Sequence, residues 1–331
     1  MAADIRKVAK RARVSISTVS RVINNSGYYS VDAKEKVDDA VRALGYRQNK
    51  IAVSLRKRSS SFIGLIVPDI SNEFYSMLAK YIENELIKDG YNLFLGNSEW
   101  SIKKEKQLIE SLLDSQVSGI ILASSSAKLP KSLIQNRIPK VFIDCDLPTT
   151  DVDNVLFVES DNYHGAKEAS KCLLSSGGSS LVYLGGYINT HPLKQRKLGF
   201  LNTMKENGID PKKYRTYKTR VSPLEASKTV KEIFSQFPFD ALFCSTDTIA
   251  LGALKALSEM RVLVPDSVQI IGFDGIFLGE FSQPPLTTIK QDFKQFGEII
   301  GKNIRSMLLS EHEMKQHLVI PTTLIKRGTT K

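Results

Sequence analysis

Apolar residues in the first 46 positions recur at helical intervals. Ile5, Val8, Ala9 and Ala12 fall at i, i+3, i+4 and i+7 and predict one helix. Asp4 suits its N-cap, because a carboxylate there accepts from free backbone N–H groups. After a break at Arg13-Val14, Ser15 caps a second predicted helix with Val19, Val22 and Ile23 facing inward. Asn24-Asn25-Ser26-Gly27 is a turn cluster that ends it. Ser30 caps a third, with Val37, Ala40, Val41 and Leu44 on one face and Gly45 as its stop. Three short helices with a tight first connection predict an all-α helix-turn-helix headpiece over residues 1–47.

From Phe62 the periodicity changes. Strand-like runs are Phe62–Val67, Tyr91–Asn97, Ser118–Ala123, Lys140–Asp144, Val155–Glu159, Ser180–Gly185, Ala241–Ser245, Val268–Phe273, Leu286–Lys290 and Leu318–Ile325. Helical patterns lie between them. In Phe74–Lys88, for example, Phe74, Met77, Leu78, Tyr81, Ile82 and Leu86 share a face. Alternation at intervals of roughly 25–30 residues predicts right-handed βαβ units and parallel sheets. The length allows two doubly wound α/β subdomains within 62–331. The N-subdomain is expected at about 62–160 and 291–318, and the C-subdomain at about 161–290 and 319–331. A ligand cleft is then expected at the carboxyl ends of the strands. Residues 48–61 are left as a hinge.

Charge separates the two parts. Residues 1–60 hold fourteen Lys/Arg against five Asp/Glu, whereas the remainder holds 32 against 30. A cationic head on a nearly neutral body is the footprint of a nucleic-acid-binding module joined to something else. The apolar runs are short, such as Ile63–Val67, so no membrane span is expected. No apolar stretch follows the charged N-terminus, so no secretory signal is read there and the cytoplasm is the expected compartment. Cys145, Cys172 and Cys244 lack metal spacing and suggest no disulfide framework. His164, His191, His312 and His317 show no ligand spacing either. No phosphate loop, dinucleotide fingerprint or nucleophile elbow occurs, so no catalytic residue, metal or cofactor is expected. No heptad segment follows Leu318–Ile325, which argues against a tetramerising coiled coil.

On the second helix the inward positions leave Ile16, Ser17, Thr18, Ser20 and Arg21 on the opposite surface. An Ile beside Ser and Arg suits a major groove, where Arg chelates guanine and Ile touches a thymine methyl. The same spacing also fits a small packed bundle. The hinge contains Ala52, Leu55 and the cluster Arg56-Lys57-Arg58, and is too short and polar to bury itself. It is either a frayed linker or a helix that folds only on DNA and wedges Leu55 into the minor groove. In the body, Asn72, Phe74 and Tyr75, then Asp144, Arg196, Thr246-Asp247, Asp274 and Gln291, follow strands or open helices. Each alone fits a loop cap or surface charge. As a set they suit a polyhydroxylated ligand, with polar groups bonding hydroxyls and an aromatic face on the ring.

The run from Ile5 to Asn24, IRKVAKRARVSISTVSRVIN, resembles the N-terminal signature of the lactose/galactose-repressor family, as do Lys36-Val37 and Leu44-Gly45-Tyr46-Arg47. The resemblance extends to the C-terminus, nearest to the sucrose- and ribose-type repressors. It implies that Ile16, Ser17 and Arg21 read bases and that Thr18, Ser20, Asn24, Ser30 and Tyr46 position phosphates. It places Ala52 and Leu55 at matching hinge positions. It implies a body like periplasmic sugar-binding proteins, in which Asn72, Phe74, Asp144, Arg196, Asp274 and Gln291 contact sugar and Thr246 stands for a common Asn. Other departures are Arg13 for a turn Gly, Lys7 for an acid, Gln48 and Glu73 for prolines, Val53 for an Arg and Cys145 for an Arg. The implied function is a homodimeric repressor of carbohydrate-utilisation genes. It would bind a pseudo-palindromic double-stranded operator under control of a sugar or sugar phosphate. The alternative is a global carbon-catabolite regulator with a phosphorylated carrier protein as co-repressor. More remote are a sugar-transport binding protein and an enzyme with a DNA-binding appendage.

Overall fold

Three helices form the headpiece: α1 (Ile5–Ala12), α2 (Ile16–Ile23) and α3 (Val31–Leu44). The structure is a computed structural model, and it describes residues 4–46, 60–123, 129–145, 152–188, 190–310 and 314–331. Serines start two of the helices as expected. The Ser15 hydroxyl accepts from the Thr18 N–H at 3.0 Å, and that of Ser30 from the Ala33 N–H at 3.2 Å. Asp4 occupies the N-cap of α1, but its side chain makes no cap bond; its backbone carbonyl accepts from Lys7 and Val8. Arg13 ends α1 in the left-handed region, with φ 53° and ψ 42°. Val8, Val19 and Val37 are fully buried at the centre, so each helix contributes a valine to one small core.

The chain divides into two compact units, Met1–Ser60 and Ser61–Lys331. Of the expected hinge, 48–61, only Ser60 and Ser61 are described; Ala52 and Leu55 lie outside the described residues.

The second unit holds two six-stranded sheets. The first comprises β1 (Phe62–Val67), β2 (Asn92–Asn97), β3 (Gly119–Leu122), β4 (Lys140–Ile143), β5 (Val155–Ser160) and β11 (Lys315–Ile320), all parallel in the order β11-β5-β4-β3-β1-β2. The second comprises β6 (Leu181–Gly186), β7 (Tyr214–Thr219), β8 (Ala241–Cys244), β9 (Gln269–Asp274), β10 (Thr287–Lys290) and β12 (Thr323–Ile325), in the order β12-β10-β9-β8-β6-β7. Only β12 runs antiparallel to its neighbour.

Helices cover both faces of each sheet, so the central strands are apolar on both sides. In the first lobe α4 (Glu73–Leu86) and α12 (Phe293–Leu309) pack one face through Phe74, Leu78, Ile82, Phe296 and Ile300. There α5 (Ile102–Asp114) and α6 (Lys131–Gln135) pack the other, through Ile109, Leu112 and Leu133. In the second lobe α7 (Asn162–Ser175) and α8 (His191–Glu206) lie opposite α9 (Pro223–Gln236) and α10 (Asp247–Glu259). A short α11 (Phe277–Glu280) follows β9.

Two expectations need correction. The run Leu318–Ile325 is two strands: Leu318 pairs with Val158 in the first sheet and Leu324 with Ile289 in the second. The last crossing therefore falls at Pro321-Thr322, not between 318 and 319. Proline lacks the N–H that a continuous ladder needs. The edge strand β7 was not read from the sequence, because Arg215 and Lys218 place charges on an exposed edge and break the apolar alternation.

Candidate ligand cleft and nucleic-acid interface

The chain crosses between the lobes three times, after Ser160, after Lys290 and after Ile320. A cavity of about 70 Å³ opens between the carboxyl ends of the two sheets. Asn72, Phe74, Asp144, Arg196, Thr246 and Asp274 all line it, together with Tyr75 and Trp100. Gln291 does not. It is fully buried behind the cavity, where its amide donates to Asp274 Oδ1 at 2.7 Å and its carbonyl accepts from the Ser160 hydroxyl.

Arg196 is the centre of the polar network. It projects from the second turn of α8 and is 3% exposed. Its Nε donates to Asn162 Oδ1 at 2.8 Å, and its Nη1 donates to the Ser245 carbonyl at 2.6 Å and to Asp274 Oδ1 at 3.0 Å. The guanidinium lies 3.7 Å from the centroid of the Phe273 ring. These contacts lock its plane, and Nη2 makes no bond among the described residues. The close approach of α7 and α8 allows this placement. A Cβ on Gly199 would stand 2.5 Å from the Tyr163 carbonyl oxygen, so only glycine fits there.

Asp144 sits just past β4 with a left-handed backbone, φ 50°. Its carboxylate accepts from the Ser160 N–H and from Asn162 Nδ2, both at 3.2 Å. Desolvation in the cleft pushes its pKa up to about 6, although Arg196 pulls the other way. Burial also raises Asp274, against the opposing effects of Arg196 and Gln291. Asp247 does not reach the cavity. It is fully buried, accepts from the backbone N–H groups of Gly275 and Ile276 and from the Thr288 hydroxyl, and is raised by burial and by Asp274.

Asn72 and Thr246 have capping roles as well. The Asn72 carbonyl oxygen accepts from the Phe74 N–H at 3.1 Å, and the Thr246 hydroxyl accepts from the Ile249 N–H at 3.2 Å. The Asn72 amide N–H groups and the Thr246 hydroxyl proton remain available as donors. Aromatic rings continue from Phe74 to Tyr75, with centroids 5.0 Å apart, and on to Trp100 at 6.3 Å. Burial raises the Tyr75 hydroxyl far above its usual range, so it stays a protonated donor. Trp100 was missed in the sequence because its loop, not its spacing, brings it to the cleft.

Polar contacts also tie the lobes outside the cavity: Glu159 of β5 pairs with His191 of α8 at 2.9 Å. Glu73, at the start of α4, accepts from the Phe277 N–H at 2.6 Å and from the Leu278 N–H at 3.3 Å in α11.

In the headpiece, Ile16, Ser17 and Arg21 lie on the exposed side of α2, with Ile16 46% exposed. Arg21 has no carboxylate partner among the described residues. Thr18 and Ser20 are half-buried. The Asn24 amide turns back to the Ser20 carbonyl at 2.7 Å, and the Ser30 hydroxyl caps α3. Tyr46 packs against the headpiece core, and burial raises its hydroxyl.

Residues 4–49 match the family described as bacterial regulatory proteins, lacI family, and residues 171–330 match a periplasmic binding protein-like domain. The ribose operon repressor of Halalkalibacterium halodurans is 35% identical, with 99% of this chain and 97% of that protein aligned. Catabolite control protein A of Staphylococcus epidermidis is 30% identical, with 100% of both chains aligned. A periplasmic binding protein/LacI transcriptional regulator from Alkaliphilus metalliredigens, solved in complex with D-xylulofuranose, superposes with a TM-score of 0.73. It is 31% identical and covers 82% of this chain and 100% of its own. A three-helix headpiece with an exposed α2 face, a body of two parallel-sheet lobes and full-length similarity together place this chain in the lacI family of bacterial regulatory proteins.

Proposed function

We propose that this protein is a cytoplasmic, homodimeric repressor of carbohydrate-utilisation genes whose hold on a pseudo-palindromic operator is set by a neutral sugar in the cleft. The observation that carries this reading is the convergence of six side chains, Asn72, Phe74, Asp144, Arg196, Thr246 and Asp274, on one cavity. Two carboxylates and a guanidinium offer acceptors and donors to vicinal hydroxyls, and three aromatic rings offer an apolar face. The charge balance favours a neutral ligand. Among the described lining residues the only cation is Arg196, already shared with Asp274, so a phosphate dianion would meet two carboxylates and no free positive charge. At about 10–15 Å³ per water, the cavity holds roughly five waters, a volume suited to one ring. The relatives agree in kind: one is named for a ribose operon and one was solved with a pentulose.

In this reading Ile16, Ser17 and Arg21 contact bases in each half-site, and Thr18, Ser20, Asn24, Ser30 and Tyr46 act at the phosphate backbone. Ala52 and Leu55 complete the contact through the hinge. Sugar alters the angle between the lobes and thereby the hold on the operator, and the coupling is reciprocal. The test is footprinting on the upstream regions of carbohydrate operons at moderate salt, with D-ribose, D-xylulose and sucrose titrated in. A protected palindrome whose occupancy responds to one sugar is expected. Arg21→Ala should cost about 1–3 kcal/mol and relax preference at a single base pair. No protected palindrome, or one indifferent to every sugar, refutes the reading. The full-length likeness to a catabolite control protein supports a second reading, with a phosphorylated carrier protein as co-repressor. Tight binding of that carrier with no saturable sugar binding would favour it.

A further inference from the structure

Trp100 and Val221 are shared by two volumes. Both line the cleft cavity, and both also line an outer groove of about 910 Å³ on the flank of the second lobe. Trp100 comes from the loop after β2 in the first lobe, and Val221 from the turn after β7 in the second. The pair therefore stands where the small inner space meets the large outer one.

The Trp100 loop is built to hold the indole there. Glu99 and Trp100 have φ of 53° and 59°, two successive non-glycine residues in the left-handed region. Such a conformation persists only where its surroundings fix it. Here the Trp100 backbone N–H donates to the Pro68 carbonyl at 3.3 Å, and Glu99 pairs with Lys104 at 2.8 Å. Ser98, just before, is fully buried and donates through its N–H to the Val67 carbonyl at 2.9 Å. On its inner side the indole meets Tyr75 edge-on.

We propose that Trp100 is the specificity-determining residue of the cleft: with Val221 it forms a portal that limits the ligand to a single sugar ring. The proposal rests on the reading of the cleft as a sugar site. The ring bound between Phe74, Asp144 and Arg196 meets the indole at its outward end. A second glycosidic unit would have to pass between Trp100 and Val221 into the outer groove. That groove is lined by Arg220, Glu225, Lys228 and Thr229 and could accommodate it sterically. The portal, not the floor of the cleft, therefore excludes longer saccharides. Trp100 is also the chain's single tryptophan, so its emission reports on ligand at this position.

The test is calorimetry and tryptophan fluorescence on the full chain, with D-ribose, D-xylulose and D-fructose as one-ring probes and sucrose and cellobiose as two-ring probes. The wild type should prefer one of the one-ring probes by at least tenfold, with a change in emission on binding. Trp100→Ala should narrow or reverse that preference, and so should Val221→Ala, which opens the portal from the other lobe. Trp100→Phe should keep it. Thermal unfolding confirms that each variant is folded. A wild type that binds two-ring probes as tightly as one-ring probes overturns the portal. Variants that weaken both classes by the same factor, or change neither, do so too. Absence of any sugar binding by all four proteins overturns the sugar reading of the cleft, and the portal with it.

Discussion

Arg13 sets a long charged side chain on a left-handed backbone, a conformation that costs a non-glycine residue about 1–2 kcal/mol. It lies at the turn between α1 and α2, so the strain is stored in the element that presents the exposed face of α2. Arg13→Gly removes the strain but gives the unfolded chain more freedom, and the net gain should be about 1 kcal/mol. Hydrogen exchange of the α1 and α2 amides checks this, with protection expected to rise about fivefold. Unchanged exchange would mean that the strain is relieved locally. The sequence exposes this conflict because a turn that wants glycine shows its departure by residue type alone. The strand-end carboxylates are visible for a similar reason: charged residues beside buried strands need a purpose. Gln291 shows the limit of that logic. A polar residue at a strand end serves equally well to orient Asp274 from behind, and only three-dimensional placement tells the two apart.

Among the elements, the contact of α4 with α11 has a function that emerges only from the fold. The departure at Glu73 is plain in the sequence, but its partners are about two hundred residues away in the chain. Its carboxylate receives two backbone N–H groups at the first turn of α11, an arrangement favoured by charge-assisted bonding. Because the contact spans the two lobes, it favours the lobe arrangement in which the cleft side chains converge. Solvent exposure limits its worth to about 1 kcal/mol. Glu73→Gln should therefore lower sugar affinity about three- to tenfold while leaving thermal unfolding of the chain nearly unchanged. Calorimetry reads the first and scanning calorimetry the second; equal sugar affinity would show that the link is indifferent to closure. The β–α alternation was readable because both faces of a parallel sheet are covered and its strands become continuous apolar runs. The edge strand β7 and the split between β11 and β12 were not. An edge strand tolerates charge, and two short strands flanking Pro321 have the same residue pattern as one.

For the molecule as a whole, the buried carboxylates make ligand binding and folding respond to acid in opposite senses. Asp144 has its pKa pushed up to about 6 in the free protein, against about 3.9 for an unperturbed Asp. Between these values the folded chain binds more protons than the unfolded one, so this group's contribution to stability rises as pH falls from about 6 towards 4. Sugar binding goes the other way. A hydroxyl pair donating to Asp144 needs the ionised carboxylate, so the complex has the lower pKa and affinity falls as pH drops through 6. The loss approaches about tenfold per pH unit below the free value and above the bound one. Asp274 is raised as well, but its bonds to Arg196 and Gln291 continue in the complex, so Asp144 should dominate the profile. Calorimetric titration of sugar from pH 7.5 to 5 checks the prediction, with Asp144→Asn as control. The variant should bind weakly and show a flat profile over that range. A wild-type affinity that stays constant while the protein remains folded would mean that the ligand does not use Asp144 as a charged acceptor, and the ligand's orientation in the cleft would then have to be set by Arg196 and Asp274 alone.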